Sequence, residues 1–110
     1  MKIPEKVRIG GMEYAVRREP FLSLDGQELM GMIRFQEGVI ALSEHAGMCH
    51  EVACKVLWHE ICHGIVHNFG MELEEEEEIV EMFARGIYQV LQDNGGRLFD
   101  LKEVKNGEDR

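Results

Sequence analysis

The sequence predicts a small α+β domain: an antiparallel sheet of two N-terminal hairpins, packed on a central helix and followed by a second, C-terminal helix. Three observations predict it. Short runs of β-forming residues, broken by glycine turns, fill the first forty residues. Apolar residues then recur at helical spacing, first through Val52, Val56, Ile61 and Ile65, and again through Val80, Ala84, Ile87 and Leu91.

Each element has its own signal. Lys6 to Ile9, the pair Gly10-Gly11, and Met12 to Arg18 read as a hairpin, because two glycines supply the positive φ of a tight turn and Met12, Tyr14 and Val16 alternate with Glu13, Ala15 and Arg17. Pro20 ends the second strand. Asp25-Gly26 marks a turn, and the apolar stretch Leu29 to Phe35 is interrupted by Gly31, the mark of a bulge or of a close backbone approach. After the turn Gln36-Glu37-Gly38, residues Val39 to Leu42 complete a second hairpin with 29–35. Ser43 to Gly47 is a loop.

A helix of about twenty residues begins near Met48 or Cys49 and stops at Gly70. The second helix follows the acidic run Glu74 to Glu78, whose charge suits a helix N-terminus, and ends at Asn94-Gly95-Gly96. Arg97 to Leu101 is expected as a short strand or extended arm, and 102–110 as a frayed polar tail of a single domain spanning 1–110.

Composition excludes several classes. At 110 residues the chain holds one modest core. A net charge of −9 opposes sequence-independent binding to nucleic acid or to an anionic membrane, which leaves proteins or peptides as partners. No apolar run approaches the roughly 18 residues of a membrane span, and Met1 to Glu5 lacks the apolar core of a signal peptide, so a cytoplasmic location is expected. Cys49, Cys54 and Cys62 are odd in number and follow no disulfide framework. They read as small buried residues. A second metal site from Cys49, His50 and Cys54 is a weak pattern.

The chemistry concentrates in His59-Glu60-Ile61-Cys62-His63. Residues four apart share a helix face, so two imidazoles can hold one zinc ion while Glu60 acts on a water beside it. His67 lies about 12 Å along the axis from His59 at 1.5 Å per residue, too far to share the ion. It is expected beside the ligands or on the surface.

A catalytic zinc takes three protein ligands and one open position. Val66 and Phe69 stand where one class of such helices carries Gly and a third His, so a carboxylate from the second helix must complete the set. Counting from Glu77 by three and four gives Val80, Glu81, Ala84, Ile87, Tyr88 and Leu91, a mostly apolar strip that must face the first helix. Glu77 is therefore placed first as the third ligand, with Glu76 and Glu78 as alternatives. Glu81 can accept the outer N–H of a ligand histidine. Tyr14, His67 and Tyr88 are candidate donors to an oxyanion.

The chain resembles a small phage or mobile-element member of the ImmA/IrrE-like metallopeptidases, in the gluzincin group. The resemblance rests on Gly10-Gly11-x-x-Tyr14, the strand pair ending at Ile40, Leu57 to Gly64, and Glu77 to Leu91 ending in Asp93-Asn94. It implies a minimal zincin-like fold, with an edge strand, placed at 39–42, lining a substrate cleft. It also implies cleavage of a regulatory protein, or zinc-dependent regulation, in the cytoplasm.

The expected function is zinc-dependent hydrolysis of peptide bonds, with His59, His63 and Glu77 holding zinc and Glu60 as the base. The rival is a non-catalytic regulatory or binding module stabilised by zinc. Glu60 favours the enzyme, since a purely structural zinc site needs no base. A DNA-associated protease of the SprT-like kind is disfavoured by the acidic charge.

Overall fold

The computed structural model describes residues 2–95, and the expectations for Arg97 to Leu101 and for 102–110 lie outside them. Strand β1 (Lys6–Ile9) turns through Gly10 and Gly11, at φ +59° and +85°, into β2 (Met12–Glu19). Two consecutive positive φ angles are what a two-residue hairpin turn demands, and glycine meets them without a Cβ clash. Asp25 and Gly26 repeat the device at φ 52° and 80°, closing a miniature hairpin of β3 (Ser23–Leu24) and β4 (Gln27–Glu28). The sequence marks that turn but not its strands, since four exposed residues carry no apolar alternation.

Strands β5 (Gly31–Arg34) and β6 (Val39–Ser43) form the second large hairpin. The main sheet has the order β1-β2-β6-β5. Both hairpins are antiparallel as expected, but β2 and β6 run parallel, with Ala15 opposite Val39 and Glu19 opposite Ser43, so the sheet is mixed. Local alternation cannot foresee this pairing of distant strands.

The placement of 39–42 at an edge is corrected. β6 lies between β2 and β5 and all five of its residues are buried, so the edge strands are β1 and β5. A near-continuous apolar run suits a strand covered on both faces. Ile40 and Leu42 pack with Ile9, Tyr14 and Leu57, while Val39 and Ala41 pack with Leu22. Arg34 and Glu19 clasp each other across β6 through two hydrogen bonds of 2.7 and 2.9 Å. The guanidinium's hydrogen bonds hold the Glu19 carboxyl below its ordinary pKa, against the opposing effect of burial.

Helix α1 (His50–Asn68) lies against β5, β6 and β1. It stops at Gly70, φ +70°, where Gly70 N–H donates to the His67 carbonyl and Met71 N–H to that of Val66, the paired bonds of a glycine-terminated helix. Helix α2 (Glu76–Asp93) packs on α1 through Val80 and Ala84, which meet Cys62 and Val66, with Trp58, Leu73 and Ile87 around them. Of the three free cysteines, Cys54 and Cys62 are buried and Cys49 is exposed. Burial raises both buried thiols above their ordinary pKa, which favours the protonated form. No described helix is long and apolar enough to cross a membrane.

Candidate metal centre

Two glycines let α1 approach the sheet closely. A Cβ on Gly64, directly after His63, would lie 2.8 Å from Ile9 Cδ1 and 3.1 Å from Ile33 Cδ1. A Cβ on Gly31 would lie 2.5 Å from Val56 Cγ1 and 3.4 Å from a Glu60 carboxylate oxygen. Gly31 is thus the close approach its position in an apolar run suggests, and it puts the edge strand β5 beside Glu60.

His59 and His63, one helical turn apart, emerge on the side of α1 that faces α2, with ring centroids 4.9 Å apart. Across the seam, Glu77 places its two carboxylate oxygens 2.9 Å from His59 Nε2 and 3.0 Å from His63 Nε2. The ligand-bearing atoms of His59, His63 and Glu77 all lie within 4.8 Å of one another, the one such group among the described residues. The outer nitrogens are engaged as well: His59 Nδ1 is 2.7 Å from Glu81 Oε1, and His63 Nδ1 is 2.7 Å from Glu76 Oε2. Arg85 Nε donates to Glu81 at 2.8 Å.

This arrangement fits a divalent cation on chemical grounds. If each Nδ1–H donates to its glutamate, each Nε2 carries a bare lone pair turned toward an anionic carboxylate. Such a cluster of donors is stabilised by a positive charge at its centre, which a metal ion supplies and neutral imidazoles do not. Tetrahedral ligands at about 2.0–2.2 Å from zinc stand roughly 3.4 Å apart, a separation within the 4.8 Å that bounds the three donor atoms.

Among the described residues Glu60 is the one buried glutamate, at 8% exposure. Burial raises its carboxyl above the ordinary pKa and the neighbouring Glu77 carboxylate adds to that, against an opposing effect of the adjacent imidazoles. A carboxyl so poised exchanges protons nearer neutrality than a solvated glutamate does. At Glu81, burial acts upward, but the hydrogen bonds and charges of His59 and Arg85 outweigh it and hold the carboxyl low. An anionic Glu81 is the form that accepts the His59 N–H.

These groups line a cleft of about 640 Å³ bounded by Leu29, Met30 and Gly31 on the sheet's edge and by both helices. The structure therefore brings His59, Glu60, His63, Glu77 and Glu81 together. Glu76 lies against the outer nitrogen of His63, and Glu78 lines neither this cleft nor the cluster.

The three candidate oxyanion donors are corrected, since none lines the cleft. Tyr14 is fully buried with its hydroxyl accepting from Asn68 Nδ2, His67 is stacked on Phe35 at 3.8 Å, and Tyr88 is buried with Lys55 Nζ 5.6 Å above its ring. Sequence reasoning missed Lys55 and Arg85 as cleft residues, although each stands four positions from a site residue, His59 and Glu81. Compared with known proteins, the chain matches no family model, no curated protein and no solved structure.

Proposed function

We propose that this protein is a zinc-dependent metallopeptidase acting on a protein or peptide in the cytoplasm. The observation that carries the reading is the convergence of His59 Nε2, His63 Nε2 and the Glu77 carboxylate at the mouth of a cleft, with buried Glu60 on the same helix face. Two imidazoles and a carboxylate also suit other transition ions. A buried carboxyl lining the same cleft as the donors favours hydrolysis, for which zinc is the apt ion, over a site that only binds or stabilises.

Zinc, when bound, brings the pKa of a coordinated water toward about 7 and polarises the scissile carbonyl. The residues of the chain do the rest. Glu81 and Glu76 hold the two rings by their Nδ1–H groups, which keeps Nε2 turned inward in the metal-binding tautomer. Glu60 takes the proton of the attacking water and passes it to the departing amine, so that carboxylate and carboxylic acid alternate at one buried position. β5 lies at an edge of the sheet among the described residues, and an extended peptide can pair along such an edge.

The test combines metal analysis of the pure protein with proteomic cleavage profiling of wild type against Glu60→Gln. The expected result is one zinc per chain in both, with cleavage products in wild type alone. Full activity in Glu60→Gln refutes the assignment of the base. Zinc without any cleavage in either protein returns the chain to the non-catalytic module.

A further inference from the structure

The pairing of His63 with Glu76 and Glu77, and of His59 with Glu77 and Glu81, fixes α1 and α2 as antiparallel neighbours. Moving from His59 toward the start of α1, and from Glu81 toward the end of α2, therefore follows the same direction in space. In that direction the cleft continues between the helices. Its walls are Val52 and Val56 on one side and Ala84 on the other, with Lys55, Arg85 and Gln89 also lining it.

Lys55 and Arg85 each stand one helical turn, about 6 Å of rise, beyond His59 and Glu81 respectively. In a chain with 12 basic against 21 acidic residues, two cations on opposite walls of one cleft are a departure from the surrounding charge. The cleft's acidic side chains, Glu60, Glu77 and Glu81, are all engaged with the histidines or buried beside them. Lys55 Nζ is 3.5 Å from Glu51 in an exposed pair one turn apart and 5.6 Å from the Tyr88 ring centroid, and Arg85 gives its Nε to Glu81 at 2.8 Å, which leaves the two terminal nitrogens of its guanidinium for a ligand.

We propose that this arm of the cleft receives a carboxylate of the peptide substrate, bound between Lys55 and Arg85 and one or two residues from the scissile bond. An extended peptide advances about 3.3 Å per residue, so one or two residues span the turn of helix that separates the cations from the histidines. The apolar walls take the methylene stem of an acidic side chain, and the guanidinium fork takes its head. A free C-terminal carboxylate has the same chemistry. The inference deepens the peptidase reading and rests on it for what the cleft does.

The experiment measures binding to zinc-loaded Glu60→Gln, which holds peptide without consuming it. The probes are fluorescent seven-residue peptides of Ala and Leu carrying one Glu, scanned through the positions, against Gln counterparts, each ending in an amide or a free acid. A Glu peptide or a free-acid peptide should bind at least about tenfold more tightly than its neutral partner, the scale of a charge-assisted contact. The arm that shows the preference identifies the source of the carboxylate. Adding Lys55→Gln and Arg85→Gln should bring the ratio to about one with one zinc per chain retained, and Lys55→Glu with Arg85→Glu should turn the preference toward a Lys peptide. No preference in either arm, a preference that survives both neutral substitutions, or no binding of any probe overturns the proposal. Hydrolysis by wild type is read separately: cleavage without a carboxylate preference ends this inference alone, and the preference without cleavage ends the peptidase reading alone.

Discussion

Replacing Gly31 by Ala tests how the edge strand β5 meets helix α1. The new Cβ would lie 2.5 Å from Val56 Cγ1, whereas nonbonded carbons settle at about 3.5–4.0 Å, so roughly 1 Å must be found. Val56 cannot readily swing away, because a β-branched residue in a helix holds one rotamer about 90% of the time. The strand must retreat from α1, and overpacking of this kind costs about 1–3 kcal/mol. For a chain near 100 residues that is a fall in Tm of roughly 5 to 20 °C. Melting in the presence of a chelator keeps metal out of the comparison. Val56→Ala alone should destabilise by about 1–2 kcal/mol, yet in the Gly31→Ala background it should restore stability, giving a coupling of about 1 kcal/mol or more. Gly31→Ala within about 0.5 kcal/mol of wild type, or strictly additive losses, would refute the close approach.

Zinc should raise the melting temperature with concentration, by about 2.7 kcal/mol of stability at 100 times Kd, and Glu76→Gln or Glu81→Gln should weaken zinc affinity about 10- to 100-fold by freeing a ring. A melting temperature indifferent to zinc and to chelator excludes the metal centre. Because burial lifts the folded pKa of Glu60 above its unfolded value, its contribution to stability is greatest at low pH and is lost as pH rises through the folded value. Metal-free Glu60→Gln should therefore melt higher than wild type at neutral pH, with the difference vanishing in acid; thermal melts across pH decide it. Glu19 has the opposite sign: its depressed carboxyl stabilises the fold above the ordinary carboxylate range and loses that contribution as pH falls through its lowered value. Glu19→Gln should cost less than about 1 kcal/mol at neutral pH, since the pair is partly exposed, and nothing in strong acid.

The two helices, both large hairpins and their glycine turns were legible because each is written in local periodicity and in residues that tolerate positive φ. His59, Glu60 and His63 were legible for the same reason, their relation being fixed by one turn of one helix. Glu77 required a second inference, from the apolar strip of α2, and that strip does turn toward α1 at Val80 and Ala84. What escaped was long-range. The parallel partnership of β2 with β6 depends on which hairpin edges meet, and the alternation in each strand is the same either way. Likewise Val39 to Leu42 announces burial on two faces by its unbroken apolar character, but the family resemblance drew it to the edge. Tyr14 looked available on a strand, yet its hydroxyl is spent on Asn68, fifty-four positions away.

Helix α2 touches the rest of the fold chiefly through α1, along one seam of small and medium side chains. Glu77 rides on that helix, while both histidines ride on its neighbour, so the donor set exists only while the seam is closed. Occupancy by an ion is then a measure of docking, and the apparent affinity falls in proportion to the fraction of molecules in which α2 is seated. A cavity cut at Val80 or Val66, neither of which supplies a donor atom, would reach the ion by way of that fraction. Selection on metal uptake in such a protein acts as much on hydrocarbon as on nitrogen and oxygen.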